Sequence, residues 1–437
     1  MTPTLAEALD SSLRRQYAWR WTGRVLDAAG QSVECAGPLC RIGDCCEIID
    51  SAGRRYAGEV IGFRGQRVLT MPLEGIEGIR HGDAVTALGR PPDFPAGEGL
   101  IGRVLDAAGN PLDDAGPLHV SGREPVHRAP SAAMDRIPIR QPLSTGVRAI
   151  DAMLTVGLGQ RIGIFGGSGV GKSTLIGMMT RNTSADVVVV GLVGERGREV
   201  AEFLEDALGV EGRRRSVVIV STSDQSPLLR MRAALAATSV AENFAAEGRD
   251  VLLVLDSLTR FAMAARDVGL AAGEPPTAKG YTPSVFNKVA KLVERAGRFR
   301  CGSITAFYTV LMEGDDQHDP VVDAVRSFVD GHLMLSRSLA SEGWYPPIHA
   351  LDSISRLMPA VADADHRQAA VALRRAMAIY DRAADLIRIG AYKTGADEEL
   401  DRAVALQPAI RALLTQHAEE RVTLPEAVDA LLRLRTA

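Results

Sequence analysis

Apolar residues between about residue 140 and residue 358 fall into short continuous runs, separated by amphipathic stretches. Five runs are rich in β-branched residues: RIGIFG (161–166), DVVVVGLVG (186–194), SVVIVSTS (216–223), VLLVLDSL (251–258) and SITAFYTVL (303–311). Strands that are apolar throughout are buried on both faces, which is typical of a parallel sheet covered by helices. We therefore predict an α/β domain with a central parallel sheet in this part of the chain.

The pattern before residue 91 is different. Short β-type runs broken by glycine follow one another from residue 20, namely WTGRVL, CEIID, YAGEVIGF, QRVLTMPL and DAVTAL. Short strands at close spacing predict a small barrel or sandwich, and the Pro- and Gly-rich segment 90–99 predicts a domain boundary. The octapeptide GRVLDAAG occurs at 23–30 and at 102–109. We interpret it as a strand followed by a tight turn, used once in each of two domains.

Helical periodicity is found at both ends of the chain. Leu5, Leu9, Leu13 and Tyr17 recur at a spacing of four and form one apolar stripe on a predicted helix. Two interpretations remain open, a surface helix packed on its own domain and a docking arm for a partner or a membrane surface. Long amphipathic stretches after residue 360 predict a helical C-terminal domain. The predicted domains are therefore residues 1–91 (docking helix and β-barrel), 92–359 (the α/β domain) and 360–437 (helices).

Composition narrows the class of protein. The 437 residues are 46% hydrophobic and 24% charged, and a formal net charge of -4 gives no general attraction to nucleic acid or anionic lipid. No segment reaches the ~20 apolar residues of a membrane-spanning helix, and the first residues lack the apolar region of a secretory signal. The five cysteines have no C-x2-C spacing, so we expect reduced thiols in a cytosolic protein rather than a zinc site.

The most specific motif is GGSGVGKST (166–174), which matches the P-loop pattern G-x-x-x-x-G-K-[ST] between a predicted strand and a predicted helix. Such a loop directs backbone N–H groups and the positive end of a helix at phosphate oxygens. Lys172 is expected to reach the β- and γ-phosphates, and Ser173 to place its hydroxyl on Mg²⁺. The residues predicted to bind ATP here are Gly166, Gly167, Ser168, Gly169, Val170, Gly171, Lys172, Ser173 and Thr174.

Acidic residues at two strand ends complete the predicted chemistry. Asp256 ends the run VLLVLD, where a carboxylate is costly unless it is solvated or paired with a cation such as Mg²⁺. Glu195, in VGERGREV (193–200), is the candidate base that orients the attacking water and accepts its proton. Glu199 is a candidate metal ligand, and Arg196 could sense the γ-phosphate. An ordinary acid at a strand end and a salt bridge at a helix start are the alternatives.

Four segments in this order resemble the rotary and secretion ATPase family: GGSGVGKST, VGERGREV, LLVLDSLTRFAMAARD and GEPPTAKGYTPSVF. The family includes the catalytic subunit of F-type ATP synthase and the type III secretion ATPases. The resemblance extends from about residue 20 to the end, and it implies a RecA-like fold for the P-loop domain. Segments 221–242, 256–276 and 294–320 look like the secretion branch, and FGGSGVGKSTLIGMM looks more flagellar than injectisome-like. IGAYKTGADEELDRA stands where the ATP-synthase subunit has an acidic rotor-contacting turn.

The resemblance implies roles for further residues. Arg196 and Arg260 would lie near the γ-phosphate, and Tyr345, in EGWYPPIHALDSISR, matches the aromatic residue that stacks on adenine. Arg356, at the end of DSISR, matches the arginine that enters the neighbouring subunit's site, where such a finger raises the rate ~10³–10⁵-fold. Since one chain has both the base Glu195 and this arginine, a homohexamer is the simplest arrangement. A core or interface tyrosine and a surface arginine are the alternatives.

The P-loop and the acids predict Mg-dependent ATP hydrolysis. The resemblance implies that a homohexamer uses it to energise type III protein export for flagellum assembly. The implied partners are a regulatory dimer at the N-terminal helix, a central stalk protein, export chaperones and the export gate, with no nucleic acid. The implied location is cytoplasmic, in peripheral contact with the inner membrane at the export apparatus. The alternatives are an injectisome ATPase, a catalytic subunit of a proton-translocating ATP synthase, a nucleic-acid translocase and an ATP-binding pseudo-enzyme.

Overall fold

The computed structural model describes residues 21–312 and 319–435, which form two compact units. One unit contains the described residues up to Pro92 together with Ser226–Leu228 and Asp267–Pro275, and the other contains the remaining described residues. The apolar stripe from Leu5 to Tyr17 lies outside the described residues. The division at residues 91 and 359 stays a prediction.

The first unit contains a closed barrel of antiparallel strands in the order β1-β2-β5-β4-β3-β6. Alternate residues of these strands point inward and are buried, Val25, Val33, Ile48 and Val85 among them. This confirms the predicted barrel. The strands are β1 (Thr22–Ala29), β2 (Ser32–Ala36), β3 (Cys45–Ile49), β4 (Arg55–Arg64), β5 (Arg67–Pro72) and β6 (Ala84–Ala87).

Sequence periodicity missed β2, because its five residues follow β1 after a two-residue turn and have no separate apolar run. Gly30 in that turn has a φ of 62°, a value that favours glycine. The second copy of the octapeptide forms the strand Val104–Asp106, followed by a turn in which Gly109 has a φ of 91°. The interpretation of the repeat as a strand and a tight turn in each of two parts of the chain is therefore confirmed.

The second unit is built on a mainly parallel sheet in the order β19-β18-β12-β17-β15-β13-β14-β8, with β16 paired to β17. Only the pairs β18–β19 and β16–β17 are antiparallel in the described sheet. The predicted α/β fold is confirmed. Its strands are β8 (Val104–Asp106), β12 (Arg161–Gly166), β13 (Val187–Glu195), β14 (Ser216–Thr222), β15 (Asp250–Asp256), β16 (Gly297–Arg298), β17 (Ser303–Leu311), β18 (Gly331–Met334) and β19 (Ile354–Ser355).

Two short antiparallel pairs lie outside this sheet, β7 (Asp93–Ala96) with β9 (Gly122–Pro125) and β10 (Pro142–Leu143) with β11 (Val156–Gly157). Helices connect the strands and cover the sheet. Up to residue 328 they are α1 (Arg148–Met153), α2 (Lys172–Asn182), α3 (Gly197–Glu202), which continues as a π-helical turn Phe203–Leu208, α4 (Gly209–Arg214), α5 (Pro227–Ala246), α6 (Leu258–Ala271), α7 (Pro283–Val293) and α8 (Pro320–Phe328).

The C-terminal part is helical, as predicted, and its helices pack into the same core as the sheet. Leu373, Ile410 and Leu431 belong to the buried cluster that contains Ile164 of β12. The helices are α9 (Arg337–Ser341), α10 (Met358–Val361), α11 (Ala364–Arg388), α12 (Glu398–Leu414) and α13 (Leu424–Arg435). No helix in the described ranges has the length and apolar character needed to cross a membrane. None of the five cysteines, all of which lie in the described ranges, forms a disulfide.

Candidate nucleotide-binding site

The P-loop connects β12, which ends at Gly166, to α2, which begins at Lys172. Gly169 and Gly171 have φ values of 76° and 95°, a left-handed conformation that side chains other than glycine rarely adopt. At Gly166 an added Cβ would lie 2.9 Å from Cβ of Leu335. The glycines therefore allow both the turn and the close packing of the loop, in the strand–loop–helix context that the motif predicts.

The sheet brings the predicted acids to the same edge as this loop, because the carboxyl ends of parallel strands meet there. Asp256 ends β15 and Glu195 ends β13. The ammonium of Lys172 lies 2.6 Å from Oδ1 of Asp256 and 4.0 Å from Oε1 of Glu195. Thr309 on β17 donates its hydroxyl to Oδ1 of Asp256 at 2.8 Å. Sequence reasoning missed this threonine, because one buried hydroxyl in an apolar strand has no distinctive signal.

A β-bulge directs Glu195 toward the loop. The pairing of β13 with β14 shifts register between Val193 and Glu195, and Gly194 between them has a φ of 72°. A Cβ at Gly194 would lie 3.2 Å from Cβ of Arg260, so a larger residue would meet both strain and a close contact. Bulges of this kind redirect side chains near active sites. The glycine in VGE is thus part of the machinery that orients the candidate base.

A cavity of about 450 Å³ joins these groups. Most of the predicted site residues line it: Gly167, Ser168, Gly169, Gly171, Lys172, Ser173, Thr174, Glu195, Arg196, Glu199, Asp256 and Arg260. Gly166 and Val170 lie behind it, and Val170 is buried. The side chain of Arg196 is 77% exposed and lies 3.7 Å from Glu199, so it borders the cavity rather than entering the Lys172 cluster.

The carboxyl of Glu195 is held in an unusual state. Burial, the charge of Asp256 and a hydrogen bond with Glu199 together raise its pKa to about 7, against the opposing charges of Lys172 and Arg260. The same hydrogen bond lowers the pKa of Glu199. Burial lowers the pKa of Lys172, but Asp256 and Glu195 outweigh this and raise it. A carboxyl with a pKa near neutrality is matched to accept and release a proton in general base catalysis.

The residues present fit a nucleotide with its magnesium ion. Oε1 of Glu195 is buried and has no hydrogen-bond partner among the described residues, so it is available to a bound group. Ser173 is exposed and lines the same cavity as Asp256 and Glu199. Hydroxyl and carboxylate oxygens are the ligands that Mg²⁺ accepts alongside phosphate oxygens. The loop amides and Lys172 supply the complementary surface for the phosphates.

A second cavity, of about 640 Å³, adjoins the P-loop at Gly171 and Thr174. Tyr345 lines it with 46% of its surface exposed, and its Cε1 would lie 3.3 Å from a Cβ at Gly171. The structure therefore places the predicted stacking residue beside the phosphate loop, where an adenine ring could contact it. C-terminal residues Ala412, Thr415, Gln416 and Ala418 form the other side of this cavity.

Gln416 connects these surfaces. It is 5% exposed, its backbone N–H donates to the carbonyl of Tyr345 at 2.8 Å, and its side-chain amide donates to Gly146 O at 2.9 Å. Its side-chain oxygen accepts the backbone N–H of Arg148 at 2.7 Å. Sequence reasoning missed this wall of the site, because the end of α12 and the loop after it, more than 200 residues away, supply it and no local pattern links them to the P-loop.

Arg356 is separated from the other predicted site residues, because it lies at one edge of the sheet. It directly follows β19, the edge strand, its side chain is exposed, and it lines neither cavity. Its backbone N–H donates to Asp330 O at 3.0 Å. The chain thus places the P-loop, the candidate base Glu195 and the candidate metal ligands around one cavity, and Arg356 outside it.

Three family models match consecutive parts of the chain. Residues 21–89 match the ATP synthase alpha/beta family, beta-barrel domain, and residues 146–355 match the ATP synthase alpha/beta family, nucleotide-binding domain. Residues 362–433 match the T3SS EscN ATPase C-terminal domain. The matches cover both the barrel and the sheet that holds the site.

Individual proteins are similar over nearly the whole chain. A flagellum-specific ATP synthase of Treponema pallidum is 49% identical, covering 97% of this chain and 95% of its own length. A type 3 secretion system ATPase of Xanthomonas euvesicatoria is 44% identical, covering 96% and 95%. The structure of the assembled ATPase EscN of enteropathogenic E. coli with its central stalk EscO has a TM-score of 0.87 at 40% identity, covering 94% of this chain and 99% of EscN.

Proposed function

Because this chain belongs to the ATP synthase alpha/beta family, we propose that its ATP hydrolysis, in a ring of six identical subunits, energises type III protein export for flagellum assembly. The strongest support is the similarity to a flagellum-specific ATP synthase over 97% of the chain, at 49% identity against 44% for the secretion ATPase of Xanthomonas euvesicatoria. The P-loop, the buried acids and the base at one sheet edge supply the hydrolytic chemistry.

In this proposal the P-loop amides and Lys172 bind the β- and γ-phosphates, and Tyr345 stacks on the adenine. Ser173, Asp256 and Glu199 would hold Mg²⁺, which when bound supplies charge stabilisation to the phosphoryl oxygens. Arg260 and Arg196 add positive charge beside the γ-phosphate. Binding releases Lys172 from its 2.6 Å contact with Asp256, so that the ammonium exchanges a carboxylate for phosphate oxygens.

Glu195 acts as the general base. Its buried, unpartnered Oε1 faces the cavity and accepts the proton of the attacking water. Once protonated, the carboxyl of Glu195 donates a hydrogen bond to the neighbouring carboxylate of Glu199, which stabilises the accepted proton. The side chain of Glu195 is only 12% exposed, and this burial limits competing solvent.

The ring proposal rests on Arg356. Since this residue lines neither cavity of its own chain, it acts on the γ-phosphate bound by the next subunit. A closed ring of identical subunits places one such arginine at every site, because each heterologous interface repeats the same contact. The similar protein EscN was solved as an assembled ATPase with its central stalk, which supports the proposal of a ring.

Mixing two inactive variants tests the shared site. Arg356→Ala subunits retain a complete base, and Glu195→Gln subunits retain the arginine. A mixed ring therefore contains sites in which a wild-type base meets a wild-type Arg356, and ATPase activity should reappear with a maximum at intermediate ratios. Absence of recovery at every ratio, with mixed rings verified by native mass spectrometry, would refute the action of Arg356 between subunits.

Deleting the gene in its host tests the cellular role. We expect loss of motility and of secreted flagellar subunits, restored by the parent gene and not by Glu195→Gln. Loss of secreted effector proteins with normal flagella would favour the alternative, an injectisome ATPase, which the 44% identity to the type 3 secretion system ATPase supports. Loss of proton-coupled ATP synthesis would indicate a catalytic ATP-synthase subunit instead.

The export role implies further partners and a location. We propose a central stalk protein, which the EscN–EscO complex supports, a regulatory dimer at the N-terminal helix, and export chaperones with the export gate. The same role places the ring in the cytoplasm, in peripheral contact with the inner membrane. Crosslinking in cells followed by mass spectrometry tests these contacts, and a ring crosslinked only to ATP-synthase subunits would contradict them.

A further inference from the structure

The segment that ends in Arg356 is tied to the sheet by side-chain hydroxyls. We refer to residues 349–356 as the finger segment. Ser353 donates its hydroxyl to His349 O at 2.8 Å and accepts the backbone N–H of Met334 at 2.9 Å. Ser355 donates to Thr155 O at 2.8 Å. These contacts fix one side of the segment against strand β18 and the region before β12.

Arg374, on helix α11, holds the other side of the finger segment. Its Nη1 donates to Leu351 O at 3.3 Å and to Ser353 O at 3.2 Å, and its Nη2 donates to Ser353 O at 3.2 Å. The side chain is half-buried, and this burial lowers the pKa of Arg374. Its planar fork is therefore directed at the carbonyls of residues three and five positions before Arg356.

The hydrogen-bond partners of the Arg374 guanidinium are backbone carbonyls. Among the described residues Arg374 forms no ion pair, so its desolvation is offset by backbone carbonyls rather than by a carboxylate. A guanidinium fork that donates to two carbonyls fixes the orientation of a segment, whereas a lysine ammonium has no such planar geometry. The geometry is that of a clamp on the backbone of the finger segment.

Helix α11 is itself well anchored. Ala369, Ala370 and Leu373 belong to the buried core, and Nε2 of His366 lies 2.8 Å from Ala152 O. A movement of α11 therefore displaces Arg374 and, through it, the finger segment.

We propose that Arg374 is a positioning residue for Arg356, which makes the C-terminal helices of one subunit control the ATP site of the next. The inference rests on the proposed function, in which Arg356 acts between subunits. Arg374 lines neither of the two cavities at the P-loop of its own chain, so its effect on turnover is expected at the neighbouring site. Placement of a catalytic group within about 1 Å governs rate by up to ~10²-fold, which sets the size of the expected effect.

The test compares Arg374→Ala and Arg374→Lys with Arg375→Ala in the full-length protein. Arg375 is the adjacent residue, its side chain is 69% exposed, and it pairs with exposed Glu399, so it serves as a matched control. We expect Arg374→Ala to lower kcat about 10- to 100-fold with KM for ATP changed less than about twofold. Arg374→Lys, which keeps the charge and the stem, should lose activity too, and Arg375→Ala should match the parent.

Mixed rings separate positioning between subunits from a general structural role. Arg374→Ala subunits have an intact base, so Glu195→Gln subunits should restore their activity by supplying a well-placed Arg356. The double variant Arg356→Ala, Arg374→Ala should be no slower than Arg356→Ala. Thermal unfolding and ring mass of Arg374→Lys verify that the protein is folded and assembled.

Two results would overturn the inference while leaving the proposed function intact. One is parental kcat in folded Arg374→Lys and Arg374→Ala rings, and the other is a loss that Glu195→Gln subunits do not restore, although they restore Arg356→Ala. If Arg356→Ala itself keeps parental activity, or regains none in mixed rings, the shared site and this inference are both refuted.

Discussion

At the scale of single residues, the site depends on three charged side chains that the sheet brings together. Lys172 lies between Asp256 and Glu195, and the two acids differ in their surroundings. Asp256 pairs with the ammonium of Lys172 and accepts the hydroxyl of Thr309. Glu195 instead has one buried oxygen without a hydrogen-bond partner among the described residues. The first environment offers Asp256 a cation and a hydroxyl donor, and the second leaves Glu195 an oxygen that can accept a proton.

Replacing the base tests this difference in roles. Glu195→Gln keeps the shape of the side chain but removes its ability to accept a proton, so kcat should fall about 10²–10⁴-fold. Binding of a non-hydrolysable ATP analogue, measured by isothermal titration calorimetry, should stay within about threefold. Glu398→Gln, the same change at an acid on α12 whose side chain is 82% exposed and lines neither nucleotide-site cavity, is the control and should leave kcat unchanged. Equal turnover in Glu195→Gln and parent would contradict the assignment.

Asp151 predicts a pH dependence of stability. The residue is fully buried, and burial raises its pKa to about 6 from 3.8. A raised folded pKa means that the folded state binds the proton more tightly, so the contribution to stability is full below pH 3.8 and is lost as pH rises to about 6. The free energy of unfolding lost in this way is about 3 kcal/mol, because the pKa rises by about two units and each unit corresponds to about 1.36 kcal/mol.

Urea unfolding of the parent and of Asp151→Asn from pH 4 to pH 8 measures this effect. The free energy of unfolding of the parent minus that of the variant should decrease between about pH 4 and pH 6 and then level off. Asp186→Asn, a change at an exposed acid in a loop, is the control. A difference that increases with pH would show that the hydrogen bonds from Thr145 and Gly146 outweigh burial.

At the scale of elements, the sequence predicted strands better than their connections. Each apolar run became one strand of the sheet, because such runs have no stable alternative to burial on both faces. β2 was missed, since a hairpin partner of five residues has little pattern of its own. The wall of the adenine-side cavity formed by Gln416 was also missed, because contacts between distant helices leave no local periodicity.

A buried ion pair joins α5 to the segment after α7. Nε and Nη2 of Arg295 bind the two carboxylate oxygens of Glu242 at 2.7 and 2.8 Å, and Nη1 donates to Val126 O at 2.9 Å. The side chain of Arg295 is 1% exposed. Removing one partner of such a pair leaves an uncompensated buried charge.

We therefore expect Glu242→Gln to lower the free energy of unfolding by about 3 kcal/mol, measured by guanidinium denaturation. Glu247→Gln is the control, since this acid is exposed and accepts one long hydrogen bond, 3.3 Å from Asn243. The double change Glu242→Leu, Arg295→Met removes both charges and should recover much of the loss. A single-variant cost below about 1 kcal/mol would mean that water solvates the arginine after the change.

At the scale of the whole molecule, the chain contains a nucleotide site and, on a different surface, the arginine proposed to complete a neighbour's site. This separation makes turnover depend on assembly. A single subunit can bind ATP with its own P-loop but lacks Arg356 near its own γ-phosphate. Activity per subunit should therefore rise with protein concentration as rings form.

Light-scattering mass measurement tests nucleotide-dependent assembly. With a non-hydrolysable ATP analogue and Mg²⁺, the 46.6 kDa chain should approach a ring of about 280 kDa. Lys172→Ala, which removes the phosphate contact, should not respond to the analogue. A mass that stays at one chain in the parent, at concentrations where ATPase activity is full, would refute the ring.

The sequence by itself determined the local features of this protein. The glycines, Lys172 and Ser173 of the P-loop, the apolar strand runs and the barrel pattern follow from short-range chemistry, in which neighbouring residues decide backbone shape and burial. Tertiary structure decided which distant residues meet. Strand order brought Asp256 and Glu195 to Lys172, and a bulge at Gly194 redirected Glu195. The packing of the C-terminal helices placed Gln416 against Tyr345 and Arg374 against the finger segment. Such contacts depend on the order of strands and helices in space, which residue spacing along the chain does not encode locally.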